Sequence, residues 1–239
     1  MLEIVNAKNI KRNKNWRVII YSKPGVGKTS SIKYLKGKTL VLDLDNSSKV
    51  LEGLDVDVIQ FDRSKPEEEL IEFLKKAPEI TKAYNNLVID NISSLEKDWF
   101  VEKGRASHNG ISNELQDYSQ WTNYFARIMI VAYSLDNINI LTTAWETQND
   151  VTTETGQTFS QYAPQIRKSV RDGLLGMADV VGRVVINPKT GGRGVILQGN
   201  DGIFAKNRLD DRTSAPIEEL YSFGSEQKKT TKKEEKAGK

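Results

Sequence analysis

Residues 22–29 read SKPGVGKT, between the apolar run VIIY at 18–21 and a helix-forming stretch, SSIKYL, at 30–35. A buried strand that feeds a glycine-rich turn and then a helix is the setting in which G-x-x-x-x-G-K-[ST] forms a P-loop. Gly25 and Gly27 let successive backbone N–H groups curl into an anion-binding nest, and the helix start adds the positive end of its dipole. The phosphate-binding set is therefore Lys23, Pro24, Gly25, Val26, Gly27, Lys28, Thr29 and Ser30. Within it Lys28 is the catalytic cation that reaches the outer phosphates, and the Thr29 hydroxyl completes a Mg2+ shell. The first position of the pattern is Ser22, and a small residue is tolerated there more readily than a change at Gly27.

Composition removes several other chemistries. The chain of 239 residues has no cysteine and a single histidine, His108. Disulfides, thiolate metal sites and histidine-based clusters are thus excluded. No apolar run has the length of a membrane helix, and the opening MLEIVN is too short and too acidic for a secretory leader. The expectation is a soluble, cytoplasmic protein with no membrane partner. The formal charge is +3, and residues 225–239 hold six lysines and three glutamates, so residues 1–224 come to 3 − 3 = 0. Binding of a polyanion by the folded part then requires local patches. The tail has no large apolar residue and is expected to be disordered.

Strand and helix patterns alternate along the chain. Strands are expected at 39–44, 56–61, 86–90 and 139–143, with helices at 66–76 and about 114–134. The second half turns polar: a hairpin at 150–159 turning at Thr155 and Gly156, a helix near 169–175, and two strands at 179–186 and 193–198 around the turn NPKTGG. The fold class that follows is α/β, a mostly parallel sheet with right-handed crossovers and helices on both faces, extended by antiparallel strands in the C-terminal half. The organisation is an N-terminal arm at 1–15, one domain at 16–223 and a lysine-rich tail at 224–239.

ATP hydrolysis needs a second acid for Mg2+ and a group that orients the attacking water. Asp90, closing the apolar strand LVID, is the metal acid beside Thr29. The next residue is Asn91, where AAA+ ATPases usually carry a water-polarising glutamate. The other source of an acid is VLDLD at 41–45, whose alternation sends Asp43 and Asp45 to one face at the phosphate-binding end. Asp45 comes last and is assigned as the water-orienting base, with Asp43 in support. The alternative is that both acids cap the strand end.

Taken together these residues resemble the RecA/recombinase branch of P-loop ATPases, in which the catalytic acid lies on that strand. More closely, the chain is similar to short phage nucleotide-binding proteins that keep only a RecA-like core, some of which anneal single strands. The matching stretches are SKPGVGKT at 22–29, VLDLD at 41–45, LVIDNIS at 87–93, ILTTAWE at 140–146 and AKNRL at 205–209. They span about residues 16–210. The resemblance implies a RecA-like core, ATP and Mg2+ as cofactors, and catalytic Lys206 and Arg208 supplied to a neighbour's nucleotide. A ring or filament of this chain is then required. Recombinases usually sense the γ-phosphate with a glutamine; here the candidates are Thr143 and Glu146. Two loops of the family face single-stranded DNA, and the corresponding stretches are 101–112, with Lys103, Arg105 and His108, and 147–168, with Phe159, Tyr162, Arg167 and Lys168, followed by Arg171. Aromatics interleaved with cations suit base stacking and backbone contacts. Trp99, Trp121 and Trp145 read as core or interface residues.

The function so implied is an ATP-hydrolysing, single-stranded-DNA-binding recombination protein, with DNA, further copies of itself and a single-strand-binding protein as partners. It would work in the host cytoplasm if phage-encoded. The alternatives are a helicase-loader-like ATPase with a protein partner and, last, a small-molecule kinase.

Overall fold

The computed structural model describes residues 15–223, together with Asn6 and Lys8. The proposed arm and tail fall almost wholly outside these residues. The central elements are β1 (Arg17–Ser22), β2 (Thr39–Asp43), β3 (Asp57–Gln60), β4 (Asn86–Asp90) and β5 (Asn139–Thr152). These five strands run parallel in the order β1-β5-β4-β2-β3. A sixth parallel strand, β7 (Val180–Ile186), flanks β1 on its other side. Beyond it the sheet turns antiparallel through β8 (Arg193–Ile196), β9 (Lys206–Asn207) and β10 (Ser214–Pro216). The antiparallel extension expected in the C-terminal half is therefore present, as is the hairpin: β5 runs past the sheet and pairs with β6 (Thr158–Pro164).

The strands alternate between two cores. Ile19, Tyr21, Leu42, Leu87, Ile89 and Ile140 face the helices α1 (Pro66–Ile80), α2 (Ile92–Ala106), α3 (Leu115–Tyr133) and α4 (Lys168–Met177). Val18, Ile20, Val41, Val88 and Leu141 face the opposite way, onto Ile32, Leu51, Ile217 and Leu220. That second face is covered by short 3₁₀ helices at Thr29–Tyr34, Ser48–Leu51 and Ile217–Glu219. Both faces are buried, which is why the central strands read as unbroken apolar runs. The expected layers are present, but the α-helices of the described residues share one side. The stretch after the P-loop is a six-residue 3₁₀ helix ended by extended Leu35, close to the predicted bounds but tighter.

α2 differs most from expectation. The sequence reads as a loop over 101–112, whereas 101–106 complete α2. The helix is capped by Asn91, whose Oδ1 accepts from Ser93 N–H at 2.8 Å, and anchored by buried Trp99 against Trp121. Gly104 meets a packing need there: a Cβ would stand 2.7 Å from the Ile111 carbonyl oxygen.

Candidate nucleotide site

The parallel register brings the carboxyl ends of four strands together. Asp43 of β2 lies opposite Asp90 of β4. Ile89 pairs with Thr142 of β5, and Trp145 of β5 pairs with Ser22 of β1, so Asp90, Thr143 and the P-loop converge. The crevice beyond the carboxyl ends of parallel strands is where open α/β sheets bind ligands. Here it is a cleft of about 400 Å3 whose lining includes Lys28, Thr29, Asp45, Asp90, Asn91 and Trp145.

The P-loop is shaped for an anion. Gly25 and Gly27 take positive φ of 79° and 109°, a region that favours glycine. Lys28 is 6 % exposed, and its Nζ donates to the Ser22 carbonyl at 3.1 Å, Ser22 Oγ at 3.2 Å and the Lys23 carbonyl at 3.2 Å. Burial lowers its pKa, against the pull of Asp90, Asp45 and Glu146. A buried ammonium held by neutral oxygens gains from exchanging them for phosphate oxygens, since charge-assisted bonds are the stronger.

Thr29 Oγ1 donates to Asp90 Oδ2 at 2.7 Å, and Thr143 Oγ1 donates to Asp90 Oδ1. Asp90 is 1 % exposed, and burial raises its pKa despite these two bonds. A hydroxyl and a carboxylate in contact, both hard oxygen donors, fit Mg2+, which takes one or two protein oxygens together with phosphate and water. Thr143, named as a sensing candidate, belongs to this cluster.

The two acids of β2 separate. Asp43 accepts from Ser47 N–H at 2.9 Å and Ser48 N–H at 3.0 Å, so it caps the 3₁₀ helix at Ser48–Leu51. Asp45 lies beyond the strand, before Asn46 at φ 58°, and lines the cleft. Its Oδ1 accepts from Ser47 N–H at 3.1 Å and its Oδ2 from Asn91 Nδ2 at 3.4 Å. Glu146, the other sensing candidate, is taken: Arg183 Nε donates to its Oε2 at 2.7 Å, with side-chain exposures of 15 % and 4 %.

Lys206 and Arg208 stand elsewhere. Lys206 of β9 pairs with Val181, which is level with Ile19, three residues before Ser22. That places it about 10 Å below the P-loop end of the sheet. Both side chains donate to the Gly176 carbonyl near the end of α4, each at 3.2 Å. They do not join this chain's own nucleotide site.

The cations and rings assigned to DNA are dispersed. Lys103 pairs with Glu67 and lies over the Trp99 ring, while Arg105 is exposed at the end of α2. The 147–168 stretch is mostly the β5–β6 hairpin and not a loop. In it Phe159 is half-buried, and the Arg183 guanidinium stacks 3.5 Å from the Tyr162 ring centroid. Arg167 lies over Tyr118 and Phe100, Arg171 pairs with Asp172, and Lys168 is exposed.

The sequence reading missed Asn91, Ser47 and Trp145 as cleft residues. Trp145 carried a usable signal, because it follows the apolar run of the strand at 139–143 and stands level with Ser22 at the end of β1; Lys97 Nζ sits 4.2 Å from its ring centroid. No helix of the described residues is long and apolar enough to cross a membrane.

Among solved structures the chain is similar to the RadB recombinase, at 12% identity over 83% of this chain and 85% of that one, with a TM-score of 0.49. It is also similar to the ATPase domain of a second solved protein, at 11% identity over 85% of this chain and 81% of that one, with a TM-score of 0.48. No curated protein matches it in sequence. The family model of the AAA domain matches residues 14–209, a span that begins just before β1 and includes the P-loop, Asp45, Asp90 and the segment at 205–209. With most of its length matched, the chain belongs to the AAA domain family.

Proposed function

We propose that this protein binds and hydrolyses ATP with Mg2+ and uses the cycle to control binding of single-stranded DNA, as a RecA-like recombination protein that anneals strands or assists another recombinase. The observation that carries the reading is the composition of one cleft: Lys28, Thr29 and Asp90 on the phosphate side, with Asp45 facing the same space. Lys28 binds the outer phosphates and Thr29 with Asp90 holds the metal, which supplies neutralisation of developing charge. Asp45 orients the attacking water, itself steadied by Asn91. The acid that stands where the hydrolytic base is needed thus comes from the end of β2, while Asn91 caps a helix.

DNA coupling is supported by the continuity of β5. One strand carries Thr143 on Asp90, then Trp145 in the cleft, and then runs out into the β5–β6 hairpin. A change in what occupies the cleft is therefore transmitted along a single element to an exposed ribbon. Lys206 and Arg208, remote from their own cleft, suit completion of a neighbour's site in a ring or filament. Arg105, Arg167 and Lys168 are the exposed cations of the assigned set whose side chains form no ion pair with an acid among the described residues, Arg167 lying over the Tyr118 and Phe100 rings.

A second reading, an ATPase with a protein partner, is favoured by Ile111, before α3, and Leu115, at its start, which are 83% and 91% exposed.

Fluorescence anisotropy of a labelled single-stranded oligonucleotide separates the two. Binding that tightens with ATP and Mg2+ relative to ADP, and loses that dependence in Lys28→Ala, agrees with the DNA reading. No binding in any nucleotide state contradicts it.

A further inference from the structure

Arg193 touches the P-loop from outside the set of residues that form it. It opens β8, directly after the turn at 187–192 that joins β7 to β8. Because β7 lies beside β1 and continues three residues past the Tyr21–Arg183 pair, this turn stands next to the start of the P-loop. Arg193 Nε donates to the Val26 carbonyl oxygen at 2.7 Å. The contact is close enough that a Cβ on Gly27 would meet Arg193 Nε at 2.7 Å and Cδ at 3.0 Å. Gly27 therefore answers two demands at once, a φ of 109° and the passage of this side chain.

We infer that Arg193 is a positioning residue for phosphate binding, acting in cis through the Val26–Gly27 peptide. This rests on the reading of the cleft as a nucleotide site. A peptide's C=O and N–H point in opposite directions. Drawing the Val26 carbonyl outward fixes the Gly27 N–H on the inner side, where the nest needs a donor. The guanidinium also polarises that peptide, so the same N–H becomes a better partner for an anion. The arginine acts without touching phosphate. It differs from Lys206 and Arg208 in place and role: it belongs to the same chain's loop and serves binding, where they are proposed to serve a neighbour's hydrolysis. Its Nε–H is the engaged donor among the five of a guanidinium, and lysine can place an ammonium near the same carbonyl.

The test is equilibrium binding of a fluorescent ATP analogue and of ADP, with Mg2+, to the full chain carrying Arg193→Ala, Arg193→Lys or Lys28→Ala, alongside thermal melts without nucleotide. Arg193→Ala is expected to weaken both ligands about tenfold, the scale of one charge-assisted hydrogen bond, with the nucleotide-free melt unchanged. Arg193→Lys is expected to recover most of that loss. Binding by Arg193→Ala within about twofold of wild type overturns the inference, the P-loop reading standing if Lys28→Ala still loses binding. An equal loss in the Ala and Lys variants together with a lower melt assigns Arg193 to packing and overturns it as well. If the wild-type chain binds neither ligand, or binds them as Lys28→Ala does, the nucleotide reading fails and this inference with it.

Discussion

Thr29 and Asp90, sixty-one positions apart, meet at 2.7 Å through a hydroxyl donated to a carboxylate that is 1 % exposed. The contact joins the P-loop to the end of the strand two places away in the sheet, with β5 between them. Its second partner, Thr143, comes from that intervening strand. Three parallel strands thus converge on one carboxylate, and the predictions start from it.

Burial raises the Asp90 pKa above the ordinary carboxylate value, so the nucleotide-free fold holds this proton more tightly than the unfolded chain does. The stability that comes with it is complete below the unfolded value and is lost as pH rises through the folded one. Asp90→Asn cannot ionise and is expected to melt higher than wild type at neutral pH without nucleotide. The same variant loses Mg2+-dependent turnover by at least about a hundredfold, because the metal needs the charged form. Thermal melts across pH and steady-state hydrolysis check both halves.

The two acids at the carboxyl end of β2, Asp43 and Asp45, are expected to fail differently. Asp45→Asn should lower turnover by roughly two to three orders of magnitude, with nucleotide affinity nearly unchanged, since on the proposed reading it removes only the group that orients water. Asp43→Ala should cost about 1 kcal/mol of stability, because Ser48 N–H loses its acceptor and Ser47 N–H keeps only the longer bond to Asp45. Denaturant melts and hydrolysis assays on both variants decide the assignment.

How much of this was readable from sequence depended on how local each feature is. The P-loop, the strand ending in Asp90 and the β2 acids are set by a few neighbouring residues, and their places in the fold follow from them. α2 was not readable as a helix to its end, because the resemblance assigns 101–112 to a loop, whereas Gly104 packs closely under Ile111 within the helix. The split between Asp43 and Asp45 depends on a turn at Asn46 that periodicity cannot show. Glu146 looked available for sensing until β7 brought Arg183 onto it, and Arg193 reaches Val26 across 167 positions with no local signal. Segregation of the α-helices to one face was equally hidden, since both faces of the central strands are apolar.

The Glu146–Arg183 pair is expected to behave as a buried ion pair. Removing one partner by Arg183→Met leaves the buried carboxylate without its ion-pair partner and also strips the cation from the Tyr162 ring. A loss of about 3 kcal/mol is expected, measured by denaturant unfolding. Glu146→Gln should cost less, because it leaves no buried anion.

The proposal that Arg208 completes a neighbour's site makes a complementation prediction. Arg208→Ala and Lys28→Ala should each lose most turnover, Arg208→Ala by about a hundredfold or more. Mixing the two should restore part of it, since some interfaces then pair an intact P-loop with an intact Arg208. Mixtures no more active than their components would place Arg208 outside the reaction.

The central claim, an ATPase cycle coupled to single-stranded DNA at the Lys28–Thr29–Asp90 cleft, is tested most directly by ATP hydrolysis with Mg2+, with and without a single-stranded oligonucleotide. The account predicts turnover that rises on adding the oligonucleotide and is abolished by Lys28→Ala. Turnover indifferent to DNA, or equal in wild type and Lys28→Ala, would contradict it.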